Sequence, residues 1–472
     1  MLKKNTEHTL EISALSSEGK GIAKVDDKFV VFVEQAIPGD KVLANITRKK
    51  SNYAEARIIE ILSPSPWRVK PDCEHFGVCG GCKLQNLDYE KQIEYKSESV
   101  KNALRRIGGF IDIDIPQAIK CDNPFYYRNK MEFSFSDDKW LEIADKEKPR
   151  ENFALGLHVP KFHSKIIDIN KCFLQSEVSN GILNFTRNYF KTKNISIYST
   201  HTHSGFLRFL IIRQSMNVNA LMVNIMTYAF DRDLIEKYAR LLIAEYPQIT
   251  TVVNSTTDSK AQVAFAQKTH TLFGSGFITE KLFPENYSGF NPEFKISPNS
   301  FFQTNTNQIG KLYSAAAEFA ELKKEDNVLD LYCGAGTIAI YISDKVNKVL
   351  GVELIPDAIE NANENLGFNK TGNVSFVTSD IKDFLSGNKY GDFNKVILDP
   401  PRSGLHPDIC EVLSVSHFEK IIYVSCNPGT QSRDLKLICG KENFRVDNVQ
   451  PVDMFPQTYH IENVVSLIRN EK

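Results

Sequence analysis

Cys426 stands where a strand-like run, Lys420-Ile-Ile-Tyr-Val-Ser, gives way to Asn427-Pro-Gly-Thr430. A thiol at the end of a strand, rather than in its middle, is placed for chemistry more than for packing. An unperturbed thiol has a pKa of about 8.5, so only a few per cent is nucleophilic thiolate at neutral pH. A site built on it must lower that value or supply a base during attack. Toward the C-terminus, Phe455-Pro-Gln-Thr-Tyr-His-Ile-Glu462 carries a carboxylate just ahead of the apolar run Val464-Val-Ser-Leu-Ile468. If that run inserts antiparallel to 420–425, Glu462 falls on the edge that holds Cys426. His460 competes for the part of base, although a hydrogen-bonded loop histidine is the simpler reading of it.

The same edge collects polar residues from other strands. Val328-Leu-Asp-Leu-Tyr332 is followed by Cys333-Gly334-Ala-Gly336-Thr337. Glycines after a strand allow a sharp turn and the close approach of a ligand, though two glycines make an incomplete nucleotide fingerprint. Glu353 ends the next strand-like run, where an acid accepts hydrogen bonds from both ribose hydroxyls of a nucleoside, and Pro356 then starts a helix. Asp380 ends the third run, where it could meet an adenine amino group. Asp399 ends the fourth, in Asp399-Pro-Pro-Arg-Ser-Gly404. One such acid is ordinarily a helix cap. Four successive strands with polar tips mark a ligand crevice at the carboxyl edge of a sheet.

A separate constellation is Cys73, Cys79 and Cys82, spaced C-x5-C-x2-C, with Cys172 later in Lys171-Cys-Phe-Leu-Gln175. Four thiolates suit a [4Fe–4S] cluster or a closed zinc site, and spacing does not separate the two. It is not the C-x3-C-x2-C of radical enzymes. Cys121, Cys333, Cys410 and Cys439 read as ordinary packed or surface thiols.

These residues must be positioned by larger elements. From Asp326 onward strands and helices alternate strictly, which predicts an α/β domain with a mostly parallel sheet covered on both faces. Residues 8–62 are short strands broken by Gly, Pro and Asp turns, which predicts a small barrel. Ser63-Pro-Ser-Pro66 reads as a linker. Residues 88–107 read as an amphipathic helix stopping at Gly108-Gly109, and 125–290 as an α+β middle domain. With 472 residues, 42% of them hydrophobic and 24% charged, the chain has globular composition. It has no membrane-length apolar run, a polar N-terminus and too few cysteines (nine) for a disulfide framework, so a cytoplasmic protein is expected. A net charge of −1 gives no global nucleic-acid footprint, although residues 1–70 hold twelve Lys or Arg against nine Asp or Glu, a net +3.

A thiolate, a carboxylate and a methyl donor together suit methylation at C5 of a pyrimidine, because attack at C6 makes C5 nucleophilic and a base must then remove the C5 proton. The set SPNSFFQTN (297–305), DLYCGAGT, GVEL, LDPPRSG, VSCNP and FPQTYHIE resembles, in order and over nearly the whole chain, the RNA uracil-C5 methyltransferase family. The resemblance implies a Rossmann-like class I methyltransferase domain at 296–472, a central α+β domain with iron–sulfur cysteines at 63–295, and an N-terminal TRAM domain, an OB-like β-barrel, at 1–62. It implies Cys426 as nucleophile and Glu462 as base. It implies that Gln303, Tyr332, Glu353 and Asp399 contact S-adenosylmethionine, with Asp380 and Gly334 as further contacts. It implies that Cys73, Cys79, Cys82 and Cys172 hold a structural [4Fe–4S] cluster that shapes the RNA surface.

The expected substrate is a uridine of 23S rRNA, with the T-loop uridine of tRNA as the alternative. A cytosine-C5 enzyme would carry a Pro-Cys dipeptide, absent here. A non-catalytic RNA-binding assembly factor would have no use for both Cys426 and Glu462. Lys41, Arg48, Lys49, Lys50 and Arg57 are expected to follow phosphates. Tyr126-Tyr-Arg-Asn-Lys130 with Phe133 and Phe135, and Phe206 to Arg213, mix aromatics and cations as a single-strand RNA surface does, although the latter run also reads as a core strand. A monomer is expected by default.

Overall fold

The computed structural model describes residues 2–26, 28–141, 152–285, 290–387 and 390–471. Four sheets organise them. The first has six strands in the order Glu7–Glu11, Lys41–Lys49, Tyr53–Ser63, Phe29–Glu34, Gly21–Val25, Ala14–Leu15. Alternation sets its inside: Val42, Ala44 and Ile46 point into one small core with Leu10, Val31, Val33, Ala54 and Ala56. Its basic residues Lys41, Arg48, Lys49, Lys50 and Arg57 are all exposed.

The middle sheet has seven strands in the order Lys268–Phe273, Thr251–Thr256, Leu221–Thr227, Leu207–Gln214, Lys130–Ser136, Ala154–Val159, Phe162–Asp168. Helices Glu177–Thr192 and Arg232–Glu245 share its core. This corrects the reading of two segments as RNA surface. Phe133 and Phe135 are buried in that core, as are Tyr127, Leu207 and Leu210, because strands 130–136 and 207–214 are paired on both sides. The cations of 206–213 turn to loop carbonyls instead: Arg208 donates to Thr257 O (3.0 Å), Ser259 O (2.7 Å) and Ala261 O (2.7 Å), and Arg213 to Ser300 O (2.6 Å). Tyr126 alone among the aromatics of 126–135 stays exposed. A two-stranded hairpin, Ile278–Lys281 with Glu293–Ile296, leads into the last domain.

The C-terminal sheet has the order Val374–Thr378, Lys348–Glu353, Asn327–Leu331, Lys395–Leu398, Lys420–Ser425, Glu462–Arg469, Phe444–Val452. The first five strands are parallel; Glu462–Arg469 runs antiparallel to them, and Phe444–Val452, antiparallel to its neighbour, runs with the first five. The order of the strands across the sheet reverses between Asn327–Leu331 and Lys395–Leu398, which opens a crevice at the carboxyl edge. Three strands stop one or two residues short of the expected tips: Tyr332, Asp380 and Asp399 lie just beyond their strands, in the loops that rim the crevice.

The helix that sequence predicts over 88–107 is regular over Tyr89–Ala103, capped by Asp88, and continues as a wider turn to Gly108. It packs between the domains. Lys96, fully buried, pairs with Asp453 Oδ1 (2.5 Å) and donates to Phe455 O (3.0 Å), while Tyr89 OH donates to Asp453 Oδ2 (2.8 Å). Burial lowers the Lys96 pKa, and the Asp453 carboxylate opposes that effect. Among the described residues no helix is long and apolar enough to cross a membrane.

Candidate active site

Strand Lys420–Ser425 delivers Cys426 to the crevice. Asn427 follows as the cap of helix Pro428–Cys439: its Oδ1 accepts the N–H of Gly429 (3.0 Å) and Thr430 (3.4 Å), and Pro428 occupies the first helical turn. The thiol therefore stands at the positive end of a helix, which favours thiolate. Strand Glu462–Arg469 runs antiparallel beside it, with Ser425 opposite Asn463. Glu462 is thereby the next cross-strand neighbour of Cys426, the arrangement that antiparallel insertion requires. Asn463 is locked by Gln431, whose Oε1 accepts at 2.8 Å.

The electrostatics at this edge are dominated by acids close together. Burial, and then Asp399, push the Glu462 carboxyl well above the usual range, and its buried Oε2 has no hydrogen-bond partner among the described residues. Burial pushes Asp399 up to about 7. Burial, and then the charges of Glu462 and Asp399, push the Cys426 thiol up to about 11. Arg402 opposes this, with its charge and a hydrogen bond at the thiol. Arg402 was not singled out in the sequence, although it lies three residues past Asp399. Its backbone carbonyl accepts from Asn427 Nδ2 (3.2 Å) and Thr430 Oγ1 (3.2 Å), so the residues that follow Cys426 also hold the cation over it. Arg402 Nη2 also meets His460 Nδ1 at 2.6 Å. Since guanidinium only donates, Nδ1 is the acceptor and His460 is neutral. Burial, with Arg402, keeps its pKa near 4. His460 therefore serves as a partner of Arg402, in keeping with the simpler reading of it.

The nucleoside side of the crevice is built around a turn. Tyr332 (φ 65°), Gly334 (φ 53°) and Gly336 (φ 76°) take left-handed conformations. A side chain on Gly336 would run into the Phe376 ring, whereas the space above Gly334 is open. Gly334 N–H donates to Glu353 Oε2 (3.3 Å), and Glu353 Oε1 accepts from Leu354 N (2.8 Å) and Ile355 N (3.0 Å). The carboxylate keeps further acceptor sites for a pair of hydroxyls. Leu354 and Ile355 beside it are 59% and 57% exposed, an apolar shelf that the sequence reading missed. Asp380 caps the helix Ile381–Ser386 through Oδ1 (2.8 Å to Lys382 N), leaving its other oxygen for a ligand. Gln303 is buried in the loop ahead of helix Thr306–Phe319, its carbonyl bonded by Asn129 Nδ2 (2.8 Å). The open turn, the acceptor at Glu353 and the shelf fit the nucleoside of S-adenosylmethionine.

Cys426 also opens onto a cleft of about 1090 Å³ lined by Ser16 and Phe32 of the barrel, Tyr95 and Arg106 near the connecting helix, and Tyr459 and His460. A pyrimidine ring therefore has a route to the thiol from the face where the barrel meets the catalytic domain.

Cys73, Cys79, Cys82 and Cys172 line a second cavity of about 460 Å³, with Arg128 and Lys171 among its walls. Burial, with the neighbouring cysteines adding to it, pushes Cys82 up to about 12 and Cys79 up to about 11. Among the described residues no three His, Cys, Asp or Glu side chains gather tightly enough around one point to hold a single metal ion.

Residues 224–470 match the family model described as tRNA (Uracil-5-)-methyltransferase, and residues 2–59 match the TRAM domain. A protein of Bacteroides thetaiotaomicron described as an uncharacterized RNA methyltransferase is 40% identical over 96% of this chain and 99% of its own. Another of that description from Chlorobaculum tepidum is 38% identical over 98% of this chain and 96% of its own. The crystal structure of Pyrococcus abyssi tRNA (uracil-54, C5)-methyltransferase in complex with S-adenosyl-L-homocysteine superposes with a TM-score of 0.72, at 27% identity, over 98% of this chain and 100% of that one. The chain belongs to the tRNA (uracil-5-)-methyltransferase family, with a TRAM domain at its N-terminus and a class I methyltransferase fold at its C-terminus.

Proposed function

We propose that the protein methylates C5 of a uridine in RNA through a covalent adduct on Cys426, with Glu462 as the base. The observation that carries this reading is the cross-strand placement of Cys426 and Glu462 at the crevice edge. S-adenosylmethionine supplies an electrophilic methyl group. Gln303, Tyr332, Gly334, Glu353, Asp380 and Asp399 would hold it. Cys426 Sγ bonds to C6 of the uracil, and the C5–C6 π electrons move to C5 and the O4 enolate. Arg402 favours the thiolate. C5 takes the methyl group as that group's bond to the sulfonium sulfur breaks, and S-adenosylhomocysteine is the leaving group. Glu462, whose burial strengthens its hold on a proton, then removes the C5 proton. The released electrons restore C5–C6 and expel Cys426 as thiolate. A positioned base of this kind is worth roughly 10²–10⁴ in rate.

Two variants test the scheme. Cys426→Ala abolishes methyl transfer and the adduct. Glu462→Gln accumulates a protein–RNA adduct that survives denaturing electrophoresis, since the methylated intermediate has lost its base. An adduct that persists in Cys426→Ala refutes the nucleophile assignment.

The substrate reading is 23S rRNA, supported by the resemblance of the barrel and four-cysteine pattern to rRNA-type members. The likeness to the Pyrococcus abyssi enzyme favours a T-loop uridine of tRNA as the second reading. Nucleoside mass spectrometry of both RNAs from a deletion strain decides between them by which one loses 5-methyluridine. If neither changes, the uridine assignment falls.

The four cysteines are assigned to a [4Fe–4S] cluster. Cys73, Cys79, Cys82 and Cys172 would hold it, and it would tie the cysteine loop to residue 172. What supports a metal group here is that all four thiols line one cavity of about 460 Å³, the first three in the C-x5-C-x2-C spacing that resembles the iron–sulfur motif of rRNA-type members. Zinc and no iron in anaerobically purified protein would overturn the assignment.

A further inference from the structure

One residue joins the cysteine loop to the catalytic edge. The carbonyl of Gln457 accepts from Lys83 N (2.9 Å) and Leu84 N (3.0 Å), the two residues that follow Cys82. The Gln457 N–H donates to Gln92 Oε1 (3.1 Å), and its Oε1 accepts from Gln92 Nε2 (3.0 Å). Gln92 Nε2 also donates to Leu84 O (3.0 Å) and Leu87 O (2.9 Å). Gln457 is buried and takes a left-handed backbone, φ 66°. A non-glycine residue rarely adopts that conformation, so its surroundings must impose it. The two preceding carbonyls are held in the same way, Pro456 O by Tyr127 OH (3.1 Å) and Phe455 O by Lys96 Nζ (3.0 Å). All these donors lie in the first 130 residues of the chain. Downstream of Gln457 come His460, bonded to Arg402, and Glu462, opposite Cys426.

We propose that the cysteine loop is the strut that positions the catalytic loop, with Gln457 as the joint. What the four thiolates hold fixes residues 83–87. Those residues fix the carbonyl of Gln457, and through it the place of the Glu462 carboxylate and of the His460–Arg402 pair over the thiol. This rests on Glu462 and Cys426 acting as proposed above. Gln457 touches neither reacting group and is a positioning residue. The consequence is specific: loosening the cysteine loop slows turnover, whereas a loop that served only as RNA surface would weaken substrate capture.

The test uses the full-length protein purified without oxygen. Its probes are S-adenosylmethionine labelled in the methyl group and bulk RNA from a deletion strain. Iron content, kcat, KM, the pH profile of kcat, and hydrogen exchange of the peptides covering 83–92 and 453–463 are measured. Gln457→Ala is expected to keep its iron, hold KM within about twofold, lose at least tenfold in kcat, shift the base limb of the pH profile and exchange faster over 453–463. Cys82→Ser is expected to lose iron and reproduce the kcat loss and the faster exchange at 453–463. The double variant exchanges no faster there than Cys82→Ser, because both changes cut one path.

The proposal is overturned if Cys82→Ser leaves exchange at 453–463 as in wild type, or raises KM with kcat intact. Should Cys82→Ser fail to fold, a Gln457→Ala protein with wild-type kcat overturns it equally. Wild-type protein free of iron removes the cluster assignment alone, and Gln457→Ala still decides the joint. Normal turnover by Glu462→Gln removes the base assignment instead, so the failures are distinguishable.

Discussion

Replacing Arg402 with Leu isolates what makes Cys426 reactive. The thiol stands at about 11 because burial and two carboxylates outweigh the single cation that favours its charged form. At pH 8 that leaves about 0.1% as thiolate, three powers of ten below the neutral form. A hydrogen bond to a charged group is worth about 1.5–3 kcal/mol, and the exposure of Arg402 puts it at the low end. About 1.4 kcal/mol is one pKa unit. Arg402→Leu should therefore move the thiol up by about one unit and cut its thiolate fraction at pH 8 about tenfold. The assay is the rate of iodoacetamide alkylation of the Cys426 peptide against pH, followed by mass spectrometry, which separates it from the other eight cysteines. Arg402→Lys, which keeps the charge, should recover part of the rate. S-adenosylmethionine, with its cationic sulfur, should recover more in Arg402→Leu than S-adenosylhomocysteine does. An alkylation profile unmoved by Arg402→Leu would refute the assignment of Arg402 as the group that counters the two carboxylates.

Three further outcomes follow from the buried charges and the turn. Lys96→Met leaves Asp453 buried without its cation and should cost about 3–5 kcal/mol in denaturant unfolding. Lys96→Met with Asp453→Leu should recover most of that stability but not kcat, and recovery of both would show that the pair does no positioning. Burial pushes Asp330 up to about 8, with one oxygen unpartnered and the other bonded by Ala339 N (3.0 Å). Between about 3.9 and 8 the folded protein then keeps a proton that the unfolded chain releases, so this group makes stability fall as pH rises, by up to about 1.4 kcal/mol per unit. Melting curves of Asp330→Asn should lose that slope and lie above wild type past pH 8, and parallel curves would contradict it. Gly336→Ala, with roughly 1–2 kcal/mol of left-handed strain and its new methyl group in the Phe376 ring, should lower Tm and weaken S-adenosylhomocysteine binding in titration calorimetry. Wild-type values in both would mean that the turn tolerates a side chain.

What the sequence announces here is what has short range. The strand-to-loop step at Cys426, the acids past the strand tips and the glycines after Leu331 each depend on a few neighbouring residues, and pattern alone finds them. The edge strand Phe444–Val452 escaped because it mixes charges with apolar residues and contains Pro451, which only an edge or a bulge tolerates. Strand 207–214 deceived in the opposite way. Its arginines suggested a polar surface, but they satisfy loop carbonyls from a fully covered strand. Arg402 and Gln457 take their significance from partners distant in sequence, in the Gln457 case 365 residues away at Gln92, and local spacing carries no trace of that.

The antiparallel final strand explains why such distant support is required. A parallel strand would reach the carboxyl edge from below, at the end of a covered run, as Cys426 does. Glu462 begins its strand: strand Phe444–Val452 brings the chain up to the rim beside it, and 453–461 turns the chain back so that it enters the sheet from above. That stretch belongs to no helix or strand, and a loop placed there has no ladder of its own to define it. The connecting helix and the cysteine loop supply the missing bonds at Asp453, Phe455, Pro456 and Gln457. Buried ion pairs such as Lys96–Asp453 add little net stability compared with apolar replacements. Its place beside Phe455 gives the pair a different use: it fixes one register of the loop that leads to Glu462, beside Cys426.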